Sequence, residues 1–390
     1  MKRIQSILFL IFCALVMRGN TQSITDTIWS YQILTKIQAL QQTNTGFPPG
    51  IFPSTRVYAY NKNNSKNDPN VFFTGLIVHT LKKYQKQCTP YQQRIINQIV
   101  KDGLLSVGLF KNKSGRDTYN FWRTDTPQIF PNAGWLNKFD KSQSLPDDFD
   151  DSVILLWAQE VTKERAEVVH DTMQLYANTK VKSIKNSLPA FKNLPAYSTW
   201  FGKKMPIDFD MAVLCNVLSF VNAYDLKWTA SDSASLQLIT TAIHKNWHVT
   251  KADFIAPHYA KPAVIMYHIA RLLTAGNQQN IETLIALKST LLKQTDSLLA
   301  ISKDPLEAIL LNTARVHFGG IPNDVSQSLD QAAIEQSKYP FFIANMASML
   351  PSPVKRPLSK LAFAKFEYRC PAYNLALLWE NRYLCVPLHK

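Results

Sequence analysis

Two stretches of the sequence share one shape, and that repetition narrows the folds open to the chain. Leu145-Pro-Asp-Asp-Phe-Asp-Asp-Ser-Val-Ile-Leu-Leu-Trp157 sets four carboxylates, Asp147, Asp148, Asp150 and Asp151, ahead of an apolar run. Met205-Pro-Ile-Asp-Phe-Asp-Met-Ala-Val-Leu-Cys-Asn-Val-Leu218 repeats the proline, the Asp-Phe-Asp and the apolar run. Proline and acids before apolar residues mark helix starts, where negative charge meets the positive end of the helix dipole. Asp148-Phe149-Asp150 and Asp208-Phe209-Asp210 therefore occupy equivalent places in two helical units, as in a repeat architecture. The two acidic starts are expected to face a common centre. Four acids within five positions exceed what capping needs. In a partly buried site their repulsion keeps at least one of them protonated near neutrality, as a general acid requires.

Other helix starts follow the same pattern, with acid, proline or both before apolar residues: Lys261-Pro-Ala-Val, Asp304-Pro-Leu-Glu-Ala and Cys370-Pro-Ala-Tyr. Apolar spacing predicts helices over residues 25–42, 70–84 and 89–107, then roughly 150–161, 164–182, 208–223, 232–246, 261–273, 278–300, 304–317, 324–337 and 370–382. Residues 43–70 and 110–145 read as long surface loops, and no segment shows convincing strand alternation. The expected fold is all-α. About twelve helices, apolar ones alternating with polar ones such as 164–182, would close in two layers as an (α/α)6-type toroid. Only 12 glycines among 390 residues speak against a sandwich or a Rossmann sheet.

At the N-terminus, Lys2 and Arg3 precede the apolar run 6–17 and a polar segment. That run is short for a membrane span and fits a secretory signal peptide over residues 1–22, with an uncleaved anchor as the alternative. The remaining 23–390 read as one toroid domain, exported to a periplasm or secreted. Setting aside Cys13, the cysteines are Cys88, Cys215, Cys370 and Cys385, and the last two are close enough in sequence to pair in an oxidising compartment. A formal charge of +15 favours anionic partners, including acidic glycans, diphosphates and an anionic membrane surface. The lysines are scattered and no arginine-rich stripe occurs, so nucleic acid is not expected as a partner. With no Cys-x-x-Cys, no zinc-type histidine spacing and no phosphate-binding glycine loop, neither a metal nor a cofactor is expected.

Asp148-Phe149-Asp150-Asp151-Ser152 resembles the Asp-x-Asp-Asp-Thr motif of class II terpene cyclases, and the helix starts resemble successive inner helices of the terpenoid-cyclase and prenyltransferase toroids, squalene–hopene-type cyclases in particular. Ser152 stands where the motif has threonine, and the glutamine–tryptophan repeats of triterpene cyclases are absent. The resemblance implies that Asp150 protonates an isoprenoid alkene or epoxide, with Asp148 and Asp151 in support. Tyr119, Trp122, Phe149, Trp157 and Tyr267 are candidate substrate-lining aromatic residues whose π faces can stabilise a carbocation, and Phe121, Trp135, Trp200 and Phe209 stand nearby in sequence. Asp208 and Asp210 are the next candidates. Set across a cleft from Asp148 and Asp150, they would instead suit an exported (α/α)6 glycan hydrolase or lyase. A third reading is a non-catalytic binding toroid whose acids only cap helices. His258, Tyr259 and His268 gather near one helix start as candidate proton-transfer partners. Arg116, Asp117 and Arg123 offer charge on the loop before the motif.

Overall fold

The computed structural model describes residues 27–41, 46–126, 146–180, 182–202, 205–322 and 330–385. The expected signal peptide and Trp135 lie outside these residues. The chain is mostly helical. Its helices of ten residues or more are α1 (27–41), α2 (Phe72–Gln85), α3 (Pro90–Leu104), α4 (Phe149–Ala158), α5 (Lys163–Gln174), α6 (Met211–Ala223), α7 (Ala230–His244), α8 (Pro262–Leu272), α9 (Lys288–Ile301), α10 (Pro305–His317) and α11 (Pro371–Cys385).

The expected helix starts form as capping chemistry dictates. Asp148 Oδ1 accepts from the Asp151 amide at 2.6 Å, Asp210 Oδ1 from the Ala212 amide at 2.9 Å, and Asp304 Oδ1 from the Leu306 amide at 2.9 Å. Two helices come out differently from the spacing. The stretch 164–182 stops at Gln174, and beyond it Thr179 takes a positive φ of 73°. The stretch 278–300 breaks at Ala286–Leu287 into a single turn and α9.

Six helices pack in sequence: α2 on α4, α4 on α6, α6 on α8, α8 on α10, α10 on α11, and α11 back on α2. Several of them are buried all round; in α6 and α8 nearly every residue is shielded from solvent, as expected of helices with neighbours on every side. Around them, α3 packs on α2, α7 on α6 and α9 on α10. These outer helices are one-faced: α9 buries only Leu291 and Thr295. Gly75 sets the closeness of α2 to α4, because a Cβ there would stand 3.0 Å from Ile154 Cγ2 and from Leu155 Cδ2. Trp379, fully buried, donates from Nε1 to Ser30 Oγ at 2.7 Å and ties α11 to α1. Burial of a large apolar side chain of this kind contributes about 1.5–3 kcal/mol.

The fold is not purely helical, which corrects the all-α expectation. A four-stranded antiparallel sheet runs in the order β2 (Asn61–Asn67), β1 (Thr55–Tyr58), β4 (Lys365–Arg369), β3 (Phe342–Asn345). Two of its strands fall within the stretch 43–70 that reads as a loop. The reason for the miss is physical. β2, with the sequence Asn-Lys-Asn-Asn-Ser-Lys-Asn, is exposed along its whole length and has no apolar face to alternate, while the other three strands are four or five residues long. The pairing of β1 with β4 joins residues some three hundred positions apart, with Val57 opposite Glu367, and β3 adds beside β4 with Phe342 opposite Tyr368. β3 packs against the turn Pro257–Tyr259 that precedes α8. The sheet thus sits over the end of the helical ring from which α4 and α6 start.

Cys370 and Cys385 are both buried and are not bonded to each other. They flank the 15 residues of α11 from opposite ends, a separation of about 20 Å at 1.5 Å per residue, whereas a disulfide needs Cα atoms within about 7 Å.

Candidate active site at the acidic end of the ring

The two acidic helix starts do meet. Asp147, Asp148, Asp150 and Asp151 are all buried, at 1–6 % exposure, and Asp208 and Asp210 lie at 0 % and 1 %. Short bridges hold them together: the Asp148 backbone pairs with Tyr119 on one side and Trp200 on the other, and the Thr199 amide donates to the Asp208 carbonyl at 2.8 Å. Ser152 donates to the Asp148 carbonyl at 2.7 Å and accepts from the Tyr119 amide at 2.9 Å, so its hydroxyl locks this first turn.

Each acid has its own surroundings. Asp147 turns to the loop side, where Arg116 lies 2.9 Å away, Asn112 donates at 2.7 Å and Thr118 adds a short hydrogen bond. Asp150 points inward. Its Oδ1 accepts from Asn216 on α6 at 2.7 Å, and its Oδ2 accepts a short hydrogen bond from the Tyr259 hydroxyl. Burial raises the Asp150 carboxyl above its ordinary range, while the hydrogen bonds from Tyr259 and Asn216 oppose the rise. Burial also pushes Asp148 up to about 7; hydrogen bonding from Asp151 opposes this and the Asp150 charge adds to it. Asp151, buried and next to Asp148, is raised well above the carboxylate range. Asp148 and Asp151 titrate together, so the pair keeps at least one proton at neutral pH.

The second start is compensated. Asp208 accepts from Asn186 at 2.8 Å and faces Lys355 Nζ at 3.4 Å and His258 Nε2 at 3.7 Å. Burial alone would raise its carboxyl, but the Lys355 and His258 charges outweigh that and hold it below the ordinary range. Asp210 caps α6 with Oδ1 and accepts from the His258 amide at 2.8 Å with Oδ2. Burial pushes it up to about 6 against the pull of His258. For His258 itself, burial disfavours the charged form, yet Asp208 and Asp210 together raise its affinity for a proton.

Aromatic rings close this space. His258 stacks on Phe342 of β3 at 6.2 Å and meets Trp200 edge-on at 5.9 Å. Tyr259 lies 5.5 Å from Phe342 and 4.6 Å from His268. Within this end, Asp151 Oδ1, Asn216 Oδ1, Asn186 Oδ1 and Trp200 Nε1 are buried without hydrogen-bond partners, while Asp208 Oδ2 and His258 Nε2 face each other as an ion pair at 3.7 Å. Buried polar atoms ordinarily find partners. Such a concentration marks a place prepared for water or a ligand. Among the described residues no group of His, Cys, Asp and Glu has the arrangement of a metal site.

The structure separates the other candidates. Phe149 faces away from Asp150 and packs on Phe201 at 4.1 Å. Tyr119 sends its hydroxyl outward to Gln159 and Arg165. Trp122 is core, donating to Asp68 at 2.8 Å. Tyr267 donates to Glu380 at 2.5 Å deeper in the ring. Trp157 is at the far end of α4, against His79 at 4.1 Å. None of these five lines the acid cluster. Arg116 pairs with Asp147, Asp117 with Arg165, and Arg123 with Asp125, so the loop charges are engaged internally. Asn216, Asn186, Lys355 and Phe342 belong to the site and were not foreseen. Asn216 had a signal, being one polar residue inside the apolar run of α6; Lys355 and Phe342 had none, since long-range packing alone brings them in. Comparison of the chain with models of protein families, with curated proteins and with solved structures gives no match.

Proposed function

We propose that the chain is a proton-transfer enzyme of the terpenoid-cyclase type, built on an (α/α)6-type toroid, in which Asp150 protonates an isoprenoid alkene or epoxide. The toroid reading is supported by the closed succession of six inner helices with α3, α7 and α9 outside them. The observation that carries the functional reading is Asp150 itself. It is buried among aromatic rings, held by two hydrogen-bond donors and backed by a carboxyl pair that retains a proton.

The chemistry asks for an acid that is protonated before reaction and whose conjugate base is stabilised during it. Burial favours the protonated form of Asp150. Tyr259 and Asn216 are positioned to stabilise the carboxylate left when the proton departs. The Asp148–Asp151 pair then supplies a replacement proton from the same helix turn. The rings of Trp200, Phe342 and Tyr259 exclude water and present π faces to positive charge. At mid-height the ring is filled by Phe73, Tyr267, Phe341 and Tyr373, with Phe341 and Tyr373 at 4.8 Å. The enclosure of these acids favours a lipid over a glycan, whose hydrolysis needs an open, wet cleft.

Incubation with squalene and with a prenyl diphosphate, followed by mass-spectrometric search for cyclised products, tests the proposal. Turnover by the natural chain and a loss of about 10²–10⁴-fold in Asp150→Asn, with melting unchanged, is expected. Undiminished turnover in that variant removes Asp150 from the mechanism. Cleavage of a glycan panel with no isoprenoid product would install the carbohydrate-active reading instead.

A further inference from the structure

The opposite end of the same helices carries a second, differently charged pocket. A cavity of about 200 Å³ opens between the C-terminal ends of α2, α4 and α8, lined by His79, Lys82, Lys83, Trp157, Glu160 and Arg271 among others. α4 spans ten residues between the two ends, so this cavity lies about 15 Å from the acids along the helix.

Arg271 decides what the cavity can hold. The residue is 95 % buried, its 5 % exposure leaving only an edge accessible, and neither Nη1 nor Nη2 has a hydrogen-bond partner. Its guanidinium rests over the Tyr267 ring at 5.8 Å. The nearby carboxylates are committed elsewhere. Glu160 pairs with Lys82 at 2.7 Å, and Glu380 faces Lys83 at 3.6 Å while accepting from Tyr267 at 2.5 Å. His79 adds no counter-charge; burial, and then the Arg271 charge, hold its imidazole well below its ordinary range and therefore neutral. A buried guanidinium with a free fork is costly unless something neutralises it, and its two parallel N–H groups match the oxygens of a phosphate or carboxylate.

We propose that this pocket is an anion-binding site for a phosphate or diphosphate group, with Arg271 as the two-pronged anchor, Lys83 at the mouth and the Trp157–His79 pair as its apolar wall. The site rests on other residues than the proton-transfer reading; the Arg271 charge also acts on Asp150, so anion binding rather than turnover is its readout.

Calorimetric titration of the whole chain with inorganic phosphate, with pyrophosphate and with a short alkyl diphosphate tests the site and separates a free anion from an esterified one. Saturable binding of at least one of these is expected, weakened tenfold or more in Arg271→Lys, which keeps the charge and loses the fork. Lys83→Met should weaken binding as well, and it supplies the test if the Arg271 variant does not fold. A preference for the alkyl diphosphate would assign the site to the head of a larger ligand; a preference for inorganic anion would assign it to a free effector. Absence of binding by the natural chain, or equal binding by both variants, overturns the proposal.

Discussion

The acidic stretches at Asp148 and Asp208 are written in nearly the same letters and end in opposite electrostatic states, with Asp148 capping α4 and Asp210 capping α6. At the first, no cation reaches Asp148, Asp150 or Asp151 within ion-pair distance among the described residues, and burial raises all three carboxyls above their ordinary range. At the second, Lys355 and His258 come within 3.4 and 3.7 Å of Asp208, and the carboxylate stays ionised. The same letters therefore take different places at the two helix starts, and the charge of each carboxyl is decided by what the rest of the chain packs against it.

The sharpest way to break this contrast is to remove the compensation. Lys355→Met leaves the buried Asp208 carboxylate with only His258 and Asn186 facing it, and urea unfolding should show a loss of about 3 kcal/mol. A loss below about 1 kcal/mol would mean that Lys355 does not neutralise Asp208.

Opposite responses to pH form the next test. Asp148, at about 7 in the folded chain, sits above its ordinary value near 3.8. Its stability contribution is complete below that value and is lost as pH rises toward 7. Asp208 sits below the ordinary value, so its contribution is present above it and is lost as the solution becomes more acid than about pH 4. Asp148→Asn should accordingly gain on the natural chain by on the order of 2 kcal/mol between about pH 4 and pH 8. Asp208→Asn should lose on it at neutral pH, by an amount that shrinks in acid. Parallel pH profiles for the two variants would erase the distinction.

The smallest effect concerns the cysteines. Because Cys370 and Cys385 stand at the two ends of α11 and do not bond to each other, adding a thiol reductant should leave the melting temperature unchanged within about 1 °C. A clear drop would require a bond that this geometry forbids.

Helix starts were legible because capping is local: the Asp148, Asp210 and Asp304 side chains each satisfy amides two or three residues on. The enclosure of α6 and α8 was legible for a similar reason, since a helix shielded on all sides cannot afford a polar face. What stayed hidden depends on long-range pairing. β2 carries no apolar pattern, because its place is fixed by hydrogen bonds to β1. The convergence of Asp148, Asp150, Asp208 and Asp210 could be anticipated from the repeated motif. Of the aromatic partners Tyr259 and Trp200 were candidates from the sequence and Phe342 was not, while Phe149 turns away because in a helical protein neighbours in sequence such as Phe149 and Asp150 point to different sides. Tyr259, a hundred positions away, reaches the acid instead.

The closing of the helical ring also bears on when the protein can acquire its fold. α11 fills the gap between α10 and α2, and its Trp379 and Glu380 bond to Ser30 and Tyr84 near the other end of the chain. A ribosome delivers α2 long before α11, so the apolar flank of α2 waits without its partner while some three hundred residues are made. Neither the closed succession of helices nor the strand β4 that sits between β1 and β3 can form until residues 365–385 have been made. The apolar flank of α2 therefore stays uncovered through that interval, and the packing of the helices on one another is expected to come in one late step.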